Sequence, residues 1–396
     1  MAPDARSHLL SREHASFADD PMSRLSGRFR IFARAIPRLL SKPLRRRPRQ
    51  VRRILIAHHL LLGDTLLLAP LLAKLRASYP DAEIALVCQP ATLPLFDGRP
   101  FEATALPFDR HDGSSVDAIL RSGPYDLGIV PGDNRYSWLA LAAGCRWIVG
   151  HAGDSPAWKN WPVDEQRPYP ASPAAWADFV TELVEGPPPH PYRRGDWAAP
   201  KAVPLPEADR LAMPYVVFHL GASSAVKRWP ADRWRRLAQT VESLGYVPVW
   251  SGGPGEVELI RAVDPDGRHP DFSGRLDLGQ VWHLFSGASA VVCPDTGVAH
   301  LGRLIGVPTV TLFGPGNPLI HGAGEYWAEM PFVPVWIPEM PCRDQPTMFR
   351  REAAWIRRCD RNATTCVAWQ GDHAQCMGLL TVDSVGDALR ALLPTR

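Results

Sequence analysis

The sequence predicts an α/β protein of two doubly wound, Rossmann-like domains facing each other across a cleft. Three observations predict it. Strand–loop–helix alternation occurs in two separate runs, a proline-dense stretch divides them, and 396 residues exceed what one hydrophobic core usually organises.

The first run opens with a short buried-strand pattern at residues 53–57, turns at Gly63-Asp64 and continues as a Leu-rich helix over 65–78. Strands follow at 84–88 and 126–130. A helix of small residues at 137–143 then leads to a strand at 147–149. Residues 186–214 hold Pro187, Pro188, Pro189, Pro191, Pro200, Pro204, Pro206 and Pro214, which fix an extended chain and read as a linker. The second run is a strand at 215–219, a helix at 231–244, a strand at 247–251 and helices at 255–263 and 277–287. A strand at 290–293, a helix at 296–305 and a strand at 309–313 complete it. The expected units are a basic arm (1–50), a first domain (51–205), a second domain (206–380) and a last helix within 381–396.

With 45% hydrophobic and 21% charged residues, the composition is that of a globular protein. No apolar run reaches the ~18–20 residues that span a bilayer. The best stretch, 54–73, is interrupted by His58, His59, Gly63 and Asp64. The beginning of the chain carries Asp4, Glu13, Asp19 and Asp20 without the apolar core of a secretory signal, so a cytoplasmic protein is expected. Its seven cysteines are then thiols or metal ligands, not structural disulfides. The net charge of +3 conceals an asymmetry: residues 21–53 hold twelve Arg or Lys and no acid. Leu25, Phe29, Phe32, Ile36 and Leu39 or Leu40 recur there at helical spacing, with Pro37 and Pro43 limiting the helix to about four turns. A basic amphipathic helix suits an anionic membrane surface; a disordered basic tail, or one that binds nucleic acid nonspecifically, is the plainer reading. No nucleic-acid partner is expected.

Candidate chemistry falls in loops at the carboxyl ends of the strands, where such sheets bind ligands. Asp64 follows Gly63 at the start of a helix. As an N-cap it would be structural; facing the cleft, it would take a proton from an acceptor hydroxyl. In the loop after strand 215–219, Lys227 supplies a point charge for a leaving diphosphate, and Ser223 or Ser224 can donate to its oxygens. Gly252-Gly253-Pro254-Gly255-Glu256 follows the next strand, where a carboxylate commonly holds ribose hydroxyls. Pro294-Asp295-Thr296-Gly297 enters a helix whose free N–H groups make an anion site. Thr296 adds a hydroxyl and Gly297 allows close approach. His300 lies one turn in, where a core histidine is the default.

In this order and spacing the motifs resemble glycosyltransferase family nine, the ADP-heptose:lipopolysaccharide heptosyltransferases. Gly63-Asp64 with Leu67 and Pro70, Tyr79-Pro80-Asp81-Ala82, Gly221-Ala222-Ser223 with Lys227-Arg228-Trp229-Pro230, and the Glu256 loop carry the resemblance. Asp295-Thr296-Gly297 with His300, Gly306-Val307-Pro308 and Phe313-Gly314-Pro315 continue it. It spans residues 53 to about 322 and, more loosely, Cys376-Met377 to Leu392. The resemblance implies the GT-B fold and inverting transfer of heptose, or a related sugar, from ADP-sugar to a lipopolysaccharide-core, lipid-linked or other saccharide, with no catalytic metal. It implies that Asp64 is the general base and that Lys227, Ser223, Thr296 and Gly297 meet the diphosphate. Glu256 would hold the ribose and Asp295 the sugar hydroxyls. The second domain is then the donor side, and the last helix (382–393) packs back on the first. Where the family has a basic residue and small hydroxyl residues before Gly-Asp, this chain has His58 and Leu60 to Leu62.

Residues 341–376 exceed a minimal member and contain Cys342, Cys359, Cys366 and Cys376, separated by 16, 6 and 9 residues. Four thiols make a candidate structural zinc or iron site, although no Cys-x-x-Cys pair marks it; buried unliganded thiols are the other reading. Two further functions stay open: transfer from another nucleotide sugar or to a protein acceptor, and a noncatalytic nucleotide-binding or scaffold protein. A nicotinamide oxidoreductase lacks support, because no Gly-x-Gly-x-x-Gly follows a strand.

Overall fold

The computed structural model describes residues 21–394 apart from 202–204, 206–210, 212–213 and 323, and for 21–26 the backbone only. The acidic residues at the start of the chain, the side chain of Leu25, and Pro204 and Pro206 of the linker thus lie outside what is described.

Helix α1 (Pro21–Leu40) precedes β1 (Arg53–Ile56), α2 (Leu62–Leu66), α3 (Ala69–Ser78), β2 (Glu83–Cys88), β3 (Ala103–Pro107), α4 (Gly113–Ser122), β4 (Tyr125–Val130), α5 (Ser137–Ala142), β5 (Cys145–His151) and β6 (Glu165–Arg167). The strands form one parallel sheet in the order β3-β2-β1-β4-β5-β6. Ile54 of β1 sits between Ile84 and Leu127. After α6 (Trp176–Phe179), a second unit comprises β7 (Tyr215–His219), α7 (Ala231–Ser243), β8 (Val247–Ser251), α8 (Val257–Val263), α9 (Leu278–Ser286), β9 (Ala290–Pro294), α10 (Gly297–Ile305), β10 (Thr309–Phe313), α11 (Pro318–His321) and β11 (Phe332–Trp336). Its parallel sheet runs β11-β10-β9-β7-β8. Strand order reverses beside β1 in the first sheet and beside β7 in the second. Chains leaving a strand pair at such a point diverge to opposite faces and open a crevice.

Several expectations are corrected. The helix predicted over 65–78 is two, because Pro70 lacks the N–H needed inside a continuous helix and instead occupies the first turn of α3. In α1 the opposite holds: the helix passes through Pro37 and ends at Leu40. Nor are residues 21–50 a detached arm. Ala35 is buried, Phe32 meets Trp138 edge-on at 4.9 Å, Lys42 donates to the carbonyls of Trp161 and Val163, and Arg45 pairs with Asp164 at 2.8 Å.

The linker is equally engaged. Tyr192 and Trp197 are buried; the Tyr192 hydroxyl donates to Leu304 O and Trp197 Nε1 to Leu95 O. Asp178 of α6 accepts from the N–H groups of Glu325 and Tyr326. These contacts tie the two sheets together.

Among the described residues the last helix, α13 (Val382–Leu392, following α12, Gln375–Gly378), packs on the second domain instead of back on the first. Its Val385 and Leu389 stripe enters the second core with Trp234, Leu237, Val310 and Leu312, a groove its amphipathic face can fill. The segment that returns to the first domain lies earlier. Buried Arg351 donates to the carbonyls of Gly132, His151 and Ala152, and Trp355 Nε1 to Pro170 O. A guanidinium removed from water needs such acceptors. The carbonyl groups just past β4 and at the end of β5 provide them.

Candidate active site

Between the domains lies a cavity of about 440 Å³. Asp64, Ser223, Lys227, Glu256, Asp295, Thr296, Gly297 and His300 all line it. Ser224 does not. It sits ahead of the short turn Ala225–Lys227, where its carbonyl accepts from Lys227 N.

Asp64 occupies the third position of α2, whose N-cap is Leu61, so the carboxylate does not serve as the N-cap. A quarter of its side-chain surface is open to solvent, and it stands 3.8 Å from His321 Nε2. Burial pushes its carboxyl up to about 6, against the opposing charges of Arg358 and Lys227. The neighbouring rings are neutral at pH 7: burial brings His321 down to about 4 and His300 well below its ordinary value.

On the facing side, Lys227 Nζ donates to Asp295 O at 2.7 Å and approaches Asp295 Oδ2 at 3.2 Å. Burial works against the charge of Asp295, but Lys227 leads the charges that hold its carboxyl below the usual range. Thr296 caps α10, and its buried Oγ1 has no partner among the described residues. An unpaired hydroxyl beside the free N–H groups of a nine-residue helix is suited to a ligand oxygen. Glu256 accepts from Gly253 N at 2.6 Å, and a Cβ on Gly221 would fall 1.6 Å from Glu256 Oε2. Gly221 is therefore what lets the carboxylate lie over the β7 loop.

Gly297 has a role the sequence did not reveal. A Cβ there would meet Leu62 at 2.7 Å, and one on Gly63 would meet His300 at 2.9 Å. The starts of α2 and α10 thus touch through two glycines, bringing the loops of the two domains into one site.

His219, His321, Met348, Phe349 and Arg358 line the same cavity and were not anticipated. The last three come from the segment beyond the motifs. A hairpin of β12 (Thr347–Met348) and β13 (Arg351–Glu352) turns through Phe349 and Arg350, both at positive φ. Its unusual length was the one available signal. Isolated residues without motif spacing gave none.

The four cysteines are not in this cleft. Cys342, Cys359, Cys366 and Cys376 line a separate cavity of about 10 Å³, with Arg343 and Arg361 in its wall. All four are free thiols, and burial pushes Cys376 up to about 12. Among the described residues no three metal-ligating side chains form a preformed cluster. The donor set still fits a thiophilic metal, since all four thiols share one space sized for about one water-sized sphere. No helix among the described residues is long and apolar enough to cross a membrane.

The family model for glycosyltransferase family 9 (heptosyltransferase) matches residues 115–350. A lipopolysaccharide heptosyltransferase 1 from Pseudomonas aeruginosa is 31% identical over 212 residues, covering 52% of this chain and 58% of that relative. Among solved structures, Escherichia coli heptosyltransferase WaaC with ADP superimposes with a TM-score of 0.62 at 18% identity, covering 86% of this chain and 99% of the other. A dodecameric iron-containing heptosyltransferase, TibC, in complex with ADP-D-beta-D-heptose gives 0.50 at 16% identity over 87% of this chain and 76% of that one. These likenesses show a GT-B-type pair of facing parallel-sheet domains. With the motif loops converging on one cleft and the family model covering more than half its length, the chain belongs to glycosyltransferase family 9.

Proposed function

We propose that this protein is an inverting heptosyltransferase, moving heptose or a related sugar from an ADP-sugar to a saccharide acceptor of the lipopolysaccharide-core type. The observation that carries the reading is the juxtaposition of Asp64, from one domain, with Lys227, Asp295 and Thr296 of the other across one cavity. As the acceptor oxygen bonds to the anomeric carbon, Asp64 takes its proton. The bond from that carbon to the diphosphate breaks, and ADP leaves with the electron pair. Attack opposite the leaving group inverts the centre. Lys227, Ser223, Thr296 and the N–H groups of α10 stabilise the departing phosphate, Glu256 binds the ribose, and Asp295 binds sugar hydroxyls.

In the second cavity the four thiols would hold a structural iron or zinc, which would tie the loops of residues 342–376 together. Metal binding displaces the thiol protons, so occupancy falls at low pH. Incubation with ADP-heptose and a panel of other nucleotide sugars, with nucleotide release as readout, tests the transfer. Release from ADP-heptose with an acceptor present is expected; release only from another donor would correct the sugar, and none from any donor would favour a noncatalytic protein. Elemental analysis of the same preparation tests the thiol site: about one iron or zinc per chain, lost in Cys366→Ser, is expected, and metal-free protein would exclude it.

A specific surface favours a peripheral membrane location. Phe29, Ile36, Leu40 and Leu44 are exposed beside Arg28 and Arg38, and the inner face of α1 is held by the first domain. Such a face would rest on an anionic bilayer where lipid-linked acceptors are presented.

A further inference from the structure

The charges lining the cleft do not balance for a site that must receive a diphosphate. Among the described residues, Asp64, Glu256 and Asp295 face two side-chain cations, Lys227 and Arg358, and Lys227 is already committed to Asp295. Arg358 is therefore the cation with most to offer an incoming anion. It belongs to neither motif run. It lies in the cysteine-containing segment, held at its backbone by Gln345 N (3.1 Å to Arg358 O) and by the next residue, whose N–H donates to Pro315 O at 3.0 Å. That next residue is Cys359, so the thiol-lined cavity anchors the chain one residue from the cleft. The side chain is 24% exposed and also donates to Asp360, which leaves other N–H groups of a five-donor fork to face the cavity.

We propose that Arg358 is a substrate-binding residue of the transfer site, delivered by the cysteine-containing segment to grip an anionic oxygen group beside Asp64. The group is a phosphate of the donor or an acid group of the acceptor. This rests on the transferase reading above. Arg358 also acts on Asp64 at a distance. The charged and titratable groups facing that carboxylate are Lys227 from the β7 loop, Asp295 after β9, His300 on α10, His321 on α11, and Arg358, whose positive charge opposes the burial that raises it.

The test compares wild type, Arg358→Gln and Arg358→Lys, with calorimetric ADP affinity, donor and acceptor KM, and the pH profile of kcat/KM. In Arg358→Gln, loss of a charge-assisted contact lowers affinity about 10–100-fold. If ADP affinity falls, the anion is the donor phosphate; if only the acceptor KM rises, it is an acid group on the acceptor. The acid limb of the profile moves to higher pH, which loss of packing alone would not do. Arg358→Lys restores the limb and part of the affinity. If wild type transfers sugar and Arg358→Gln matches it in affinity, both KM values and pH profile, the inference is wrong. If wild type transfers nothing, the transferase reading fails, and unchanged ADP affinity in Arg358→Gln would separately remove the donor-phosphate role.

Discussion

The catalytic role proposed for Asp64 carries a cost to the fold. Partial burial pushes its native carboxyl up to about 6, whereas an unfolded chain would ionise it at its ordinary value of 3.8. The folded state therefore holds the proton more tightly, and stability falls as pH rises from about 4 through 6. Above that window the full penalty is present. Asp64→Asn should abolish most transfer, about 10²–10⁴-fold, while raising unfolding free energy at pH 7.5 by up to about 3 kcal/mol. Denaturant titrations at pH 7.5 and pH 3.5 check this, with the difference vanishing at the lower pH. Equal stability at both would show that the carboxylate is not held in a desolvated place. Asp64, Lys227 and Thr296 were legible in the sequence because each sits at a strand end within a recognisable loop. Arg358 and His321 were not, since only tertiary topology brings them beside Asp64.

Elements were legible wherever their periodicity was unbroken. The strand at 215–219 matches β7 residue for residue, and 382–393 differs from α13 by one position. Prolines misled in both directions, breaking 65–78 and sparing α1. β3 and α4 were missed: β3 has only one buried residue, Ala103, and α4 buries a short stripe of Val116, Ile119 and Leu120. α1 shows why a helical repeat alone does not say which face is buried. Its apolar positions divide, Phe32 and Ala35 packing inward while Phe29, Ile36 and Leu40 face out. Replacing Phe29, Leu40 and Leu44 together by Ser should leave the fold intact and weaken binding to vesicles of anionic lipid by tenfold or more, at about 0.8 kcal/mol per buried CH₂ lost. Sedimentation with vesicles of 30% anionic lipid measures it; undiminished binding would discard the membrane face.

At the scale of the molecule, two sheets with reversed strand order aim their loops at one space, and three separate straps keep them facing. The α2–α10 glycine contact sets the distance, the linker carrying Tyr192 and Trp197 fills the seam, and the hairpin around Phe349 returns from the second domain to close one wall. The alternation of strands and helices disclosed the two domains, but the straps follow no period and were invisible before the fold was known. The most direct measurement is a crystal structure of the chain with an unreactive ADP-heptose analogue. The account predicts the β-phosphate within hydrogen-bond distance of the Thr296 hydroxyl, with the anomeric carbon turned toward Asp64. A nucleotide bound outside this cleft, or an anomeric carbon facing away from Asp64, would contradict it.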